Sequence, residues 1–332
     1  MRLRLCLCLV SAAILCPATS IAAPADPQVT KRIPLDDGGW DLLAVDSAAH
    51  RVLIARSDGV DSVDTRTGTV TPHLISGQRF HGIAMIPGTS LALATQAAGS
   101  ATVFDAVTGK IIGAVKTDDD ADATIYEPSS RTIWVMNGDS GTIAIVGPSI
   151  PKVASAITVG GSLEMAALDG RGHLFVNVAD KGELAEIDIA KRTVTRRVPL
   201  AGCQHPTGLA YLRSGILLSA CANVVAKLTR ASDLKGVGEI AIGPRPDGAF
   251  ADATRHRAYV PSGGDGTLTV IDTGGALPRK IATVQTQVGA RTGAVDPVTG
   301  TVYLPAARYG PAAAAGARPA MIPGSVQLLV IP

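Results

Sequence analysis

One motif returns about every 41 residues along this 332-residue chain: an apolar run ending in Asp, as at Ser62-Val63-Asp64, Val103-Phe104-Asp105, Glu186-Ile187-Asp188 and Val270-Ile271-Asp272. That interval is too long for a helical pair and suits four short strands, the repeat unit of a β-propeller blade. Each copy reads as a strand near a Gly-Ile-Ala-like sequence, a second apolar strand, a Gly/Asp turn, a third strand ending in Asp, a Thr-Gly turn and a fourth strand. Seven units start near Trp40, His81, Ala121, Leu163, Pro206, Asp247 and Arg291. Turn residues able to adopt positive φ flank the strands, as in Asn137-Gly138 and Gly264-Asp265-Gly266. With no amphipathic helix between the strand groups, the expected class is all-β, a seven-bladed β-propeller.

The seventh unit runs out of chain after its third strand, Val326 to Ile331. The missing piece is expected at the other end, because Val29-Thr30-Lys31-Arg32-Ile33-Pro34-Leu35 matches the fourth strand of unit four, Val194-Thr195-Arg196-Arg197-Val198-Pro199-Leu200, almost residue for residue. The N-terminal strand should therefore complete the last blade and leave no blade edge unpaired.

Residues 1–22 read as a secretory signal peptide: Arg2 and Arg4, an apolar stretch from Leu5 to Leu15, then small residues at Ser20-Ile21-Ala22. Its core is too short to span a bilayer. Cleavage after Ala22 fills the small-residue positions and keeps Pro24 out of the first mature position, and Cys16 lacks the small preceding residue of a lipid-attachment box. Residues 23–332 then form the propeller, and at 46% hydrophobic and 17% charged the chain has the composition of a compact domain. Removing the signal leaves 28 Lys plus Arg against 28 Asp plus Glu. A neutral mature chain argues against phosphate-backbone binding, which needs basic residues gathered on one face, although a local basic patch on one rim would still serve single-stranded nucleic acid.

Two cysteines remain after processing, Cys203 and Cys221, bracketing the first hairpin of unit five. Export places them in an oxidising compartment, and antiparallel pairing puts Thr207 opposite about Cys221, so the Cys203 loop can fold back to form a disulfide. Two buried free thiols are the alternative; zinc is disfavoured by the spacing.

The repeats also suggest a family. Ile133-Trp134-Val135-Met136-Asn137 before Gly141-Thr142-Ile143, Leu174-Phe175-Val176-Asn177, and Tyr259-Val260 before Gly266-Thr267-Leu268-Thr269-Val270-Ile271-Asp272 resemble the YVTN-type propeller repeat. The chain looks like a YncE-like exported bacterial protein over nearly all its length after the signal. It departs from the strict repeat where Gly147 follows Val146 and at Leu228-Thr229. The resemblance implies seven blades and a periplasmic or secreted location, and it brings no catalytic signature.

In a propeller the innermost strands line a central channel, and the segments leading into them open on one rim. Aligning the units there gathers Asp41, His81, Asp122, Glu164, His205, Arg245, Asp247 and Arg291 as candidate ligand-binding residues, a mixed ring with surplus carboxylates. Such a mouth suits a small cationic or polyhydroxylated ligand, with Arg245 and Arg291 available to a carboxylate or phosphate. The competing reading is that these groups are solvated or pair with one another. The run Asp118 to Asp120 reads as a solvated loop, since calcium needs six to eight oxygen ligands.

No Gly-x-Ser-x-Gly elbow, His-Glu-x-x-His, Cys-x-x-Cys-His or P-loop occurs, so no catalytic residue, metal or cofactor is expected. The favoured function is a non-catalytic binding or scaffold module of the cell envelope, monomeric, with an envelope protein or small ligand as partner. The alternatives are a hydrolase or lactonase using the acidic mouth, with or without a divalent metal, and single-stranded nucleic-acid binding. A 19-residue Ala/Pro/Gly-rich insertion from Ala306 to Gly324, carrying Arg308, Tyr309 and Arg318, is the candidate lid or partner loop; a plain flexible surface loop is the alternative.

Overall fold

The computed structural model describes residues 27–147, 152–312 and 319–332; the signal segment and Arg318 lie outside them. The chain forms seven antiparallel four-stranded sheets. The only helix among the described residues is a 3-10 turn at Ala179–Lys181. Blade one is β2 (Trp40–Asp46), β3 (Arg51–Arg56), β4 (Gly59–Asp64) and β5 (Val70–Ser76), in that spatial order. Blades two to six repeat it, with innermost strands β6 (Phe80–Met85), β10 (Ala121–Glu127), β14 (Leu163–Leu168), β18 (Pro206–Tyr211) and β22 (Phe250–Asp252).

Blade seven joins both ends of the chain. Its order is β26 (Ala294–Val295), β27 (Val302–Ala306), β28 (Gln327–Ile331) and then β1 (Lys31–Pro34) outermost, with Lys31 opposite Val330 and Pro34 opposite Gln327. Thr30 N–H to Val330 O and Leu35 N–H to Val326 O, both at 2.9 Å, extend the pairing. A row of β28 groups that would otherwise face water is thereby paired, which also removes an edge open to aggregation.

The second strands are almost wholly buried, as the continuous apolar runs Val52 to Ala55 and Ile133 to Met136 require. The third strands are nearly as buried, and in blades one, two, four and six they end in the repeated Asp, whose carboxylate accepts from turn amides: Asp105 takes Val107 N at 3.0 Å and Thr108 N at 2.8 Å, and Asp64 takes Arg66 N and Thr67 N. The motif is therefore a turn cap, chosen because a short acceptor bonds its own chain two and three residues on.

The link from β1 into blade one is held by an ion pair with Arg56 at 1% and Asp61 at 2% exposure, 2.8 Å apart. Arg56 also donates to Asp36 O and Gly39 O, so the guanidinium spends its donors on the connecting segment. In blade five a disulfide joins Cys203 to Cys221, Cα atoms 5.4 Å apart. The residue opposite Cys221 is Pro206, one position from the expected Thr207, because β18 carries an extra residue between Pro206 and Leu209.

Candidate functional site at the channel mouth

A recurring irregularity aims the mouth residues. In blades one to five the innermost strand gains one residue relative to its partner just after its first pair: Trp40/Leu43, Phe80/Ile83, Ala121/Thr124, Leu163/Ala166 and Pro206/Leu209. Such a bulge twists the strand and re-aims the side chain within it. The residue before each bulge is buried, and the residue inside it is Asp41, His81, Asp122, Glu164 or Thr207. Blade six behaves alike, since Pro246 bridges Ser262 while Phe250 pairs with Tyr259, placing Asp247 in the equivalent bend. Arg291 follows buried Ala290 in blade seven.

Neighbouring blades hold these backbones in place. Thr95 Oγ1 donates to Asp122 O, Asn177 Nδ2 to Thr207 O and Gly208 O, Thr207 Oγ1 to Pro246 O, and Thr292 Oγ1 to Asp41 O. Gly82 permits the approach, because a Cβ there would stand 2.5 Å from Asp122 O. Next to Asp41, Leu42 of blade one packs on the apolar cluster of blades three and four, alongside Ile125 and Met165.

The ring of side chains resolves into two tiers. Asp41, His81, Asp122 and Glu164 occupy the bulge position, Asp247 the equivalent bend, and Arg291 the position after buried Ala290. In blade five the bulge position belongs to Thr207, 6% exposed, while His205 stands above it, exposed and with φ 47°. Arg245 is likewise exposed, with φ 56°. Arg79 and Asp120 share this left-handed residue just ahead of the inner strand, at φ 48° and 57°. Sequence alignment merged the tiers because one residue separates them and a left-handed kink leaves no local signature in Arg or His. It also read Asp120 as solvated loop, whereas its carboxylate lies 3.8 Å from His81 Nδ1.

The electrostatics are those of crowded, partly desolvated carboxylates. Burial, reinforced by Asp122 and Asp247, pushes the Asp41 carboxyl up to about 8 against the pull of Arg291 and His81. Burial, then Asp122, Asp247, Asp41 and Asp120, pushes Glu164 up to about 9. Asp120 and Asp247 are raised as well, in each case chiefly by burial. For His81 burial opposes the charged form, but the Asp122 carboxylate 3.2 Å away and the charges of Asp41 and Asp120 outweigh it, so its pKa rises.

Arg291 is already engaged. Its Nε donates to Asp247 Oδ2 at 2.7 Å and an Nη to Trp40 O at 3.3 Å, so it does not present the free fork that would clasp an anion. His205 reaches Glu164 only at 4.0 Å. The insertion starts beyond β27 as a small hairpin, with Gly310 N bonded to Ala320 O and Ile322 N to Arg308 O. Tyr309 is half-buried against the core between blades seven and one and close enough to Arg291 to influence its charge, while Arg308 is exposed.

No family model matches this chain, and no curated protein matches it either. Among solved structures it is similar to a chain of Kuenenia stuttgartiensis hydrazine synthase, at 15% identity and TM-score 0.69, covering 88% of this chain and 97% of that one. It is also similar to a chain of a mitotic checkpoint complex (12% identity, TM-score 0.75, covering 98% and 99%) and to U3-55K (8%, 0.75, covering 91% and 99%). At such identities the likeness speaks to architecture alone, and it shows that this chain has the seven-bladed β-propeller fold.

Proposed function

We propose that the chain is an exported, non-catalytic binding module of the bacterial envelope whose channel mouth captures a small cationic ligand. The observation that carries this reading is the gathering of five carboxylates, Asp41, Asp120, Asp122, Glu164 and Asp247, around one opening with Arg291 as the nearest standing cation. Asp41 and Glu164, raised to about 8 and 9, hold their protons near neutral pH, and a cation entering beside them and Asp122 is bound in exchange for those protons. The mouth gathers carboxylates rather than the basic residues that phosphates need, which lends no support to single-stranded nucleic-acid binding. The signal segment and the disulfide support export. The insertion is proposed to overhang the mouth from blade seven, with Tyr309 beside Arg291 and Arg308 turned outward to a partner.

A thermal-shift panel of divalent metals, polyamines, sugars and lactones tests the reading. Cations should raise the melting temperature, with an effect of about 2.7 kcal/mol at a ligand concentration one hundred times Kd. Glu164→Lys should remove most of the shift. Protection by neutral sugars alone would overturn it. The hydrolase reading keeps one specific support, because Asp41 and Glu164 stay protonated near neutral pH and a protonated carboxyl can act as a general acid. Turnover in the lactone arm, lost in Glu164→Gln, would favour it.

A further inference from the structure

Building on the reading of the mouth as a cation site, we propose that Asp41, His81 and Asp122 together bind one divalent first-row metal ion of the Zn²⁺ or Mn²⁺ class. One ligand atom from each of the three side chains lies within 4.8 Å of the other two. They come from the inner strands of blades one, two and three, at the same bulged position, so neighbouring backbones direct the donors to one point. The set is mixed rather than merely acidic. Imidazole suits zinc and its neighbours, carboxylates suit manganese as well, and calcium prefers a shell of oxygens alone. Three protein donors leave further positions for water or for a ligand entering along the channel.

A second observation points the same way. His81 Nδ1 is sealed from solvent and faces the carboxylates of Asp122 at 3.2 Å and Asp120 at 3.8 Å, neither in aligned hydrogen-bond geometry. The Asp41 carboxylate makes neither a side-chain hydrogen bond nor an ion pair among the described residues, in contrast to the turn-capping Asp105. A buried nitrogen without an aligned hydrogen bond is costly, and adjacent carboxylates repel. One dication answers both, by displacing the imidazole proton, taking the freed lone pair and screening the charges. Asp247, already clasped by Arg291 at 2.7 Å, falls outside the set.

The test is calorimetric titration of the EDTA-treated full chain with ZnCl₂, MnCl₂ and CaCl₂, with spermidine as a parallel arm. One Zn²⁺ or Mn²⁺ per chain is expected, with Ca²⁺ weaker. His81→Ala, Asp41→Asn and Asp122→Asn should each weaken that binding at least about tenfold, whereas the surface variant Glu239→Gln should not. Circular dichroism melting without metal identifies any variant that misfolds. Crystals of the unaltered chain soaked in Mn²⁺ provide an independent readout, since anomalous density should appear between the three side chains. Metal binding that survives all three substitutions, or anomalous density elsewhere, would overturn the assignment. Spermidine binding without metal binding would sink the metal and leave the cation site standing; binding of neither would sink both.

Discussion

At the scale of single residues, the repeated Asp and the mouth Asp obey opposite physics. Asp105 is surrounded by donors, and Ser90 together with the Thr108 and Val107 amides holds its carboxyl down at about 2. Because its folded pKa lies below the ordinary 3.8, its stabilising effect is complete above pH 3.8 and is lost as pH falls through about 2. Asp105→Ala should cost about 1–2 kcal/mol at pH 7, and the difference from the unaltered chain in urea denaturation should shrink as pH falls from 4 to 2. A difference constant with pH would show that the turn, not the charge, carries the effect. Asp41 and Glu164 lack such donors, which is why burial raises them instead. Residue type alone could not separate these cases; the number of amides aimed at each carboxylate does.

Among elements, the connection from β1 to blade one depends on the buried Arg56–Asp61 pair. Asp61→Ala leaves a buried guanidinium uncompensated and should destabilise the chain by about 3–5 kcal/mol, whereas the double variant Arg56→Met/Asp61→Leu should recover much of that. Thermal melting of the two variants side by side distinguishes them. The Cys203–Cys221 link closes an interval of 18 residues, so Cys203→Ser/Cys221→Ser should cost about 3 kcal/mol in the chain-entropy view. Reductant should then destabilise the unaltered chain and leave the double variant unchanged. Blade boundaries were legible at this scale because the buried second strands are unbroken apolar runs set off by turn residues: the second strand expected at Ile216 to Cys221 spans Ile216–Cys221 and is buried throughout. The insertion was legible only as a length, and its anchoring through Tyr309 depends on a contact with blade-seven neighbours that no local pattern encodes.

For the whole molecule, circular closure decides stability. Deleting residues 27–36 removes β1 and the Asp36 contact of Arg56, leaving β28 as an open edge. The truncated chain should lose its single cooperative unfolding transition and become sensitive to limited proteolysis within blade seven, and a peptide spanning residues 27–36 added in trans should restore protection. Retained cooperativity after the deletion would mean that six complete blades hold the ring unaided. Closure also sets the site, because only a closed ring keeps Arg291 of blade seven beside Trp40 of blade one, with its side chain holding Asp247 of blade six.

Much of this molecule was written in its sequence. Repeat length sets strand number per blade, alternation sets which face is buried, and the near-identity of Val29–Leu35 with Val194–Leu200 announced the shared outer strand, because like segments satisfy like edges. Tertiary structure alone decided which polar groups meet. Residues 41, 81 and 122 are far apart along the chain, and whether their donors converge depends on bulges, blade angle and channel width. So does the separation of His205 and Arg245 from the tier below, which turns on the left-handed conformation of those two residues. Periodicity reports the direction a side chain faces, whereas distances across a ring follow from how its blades are tilted against one another.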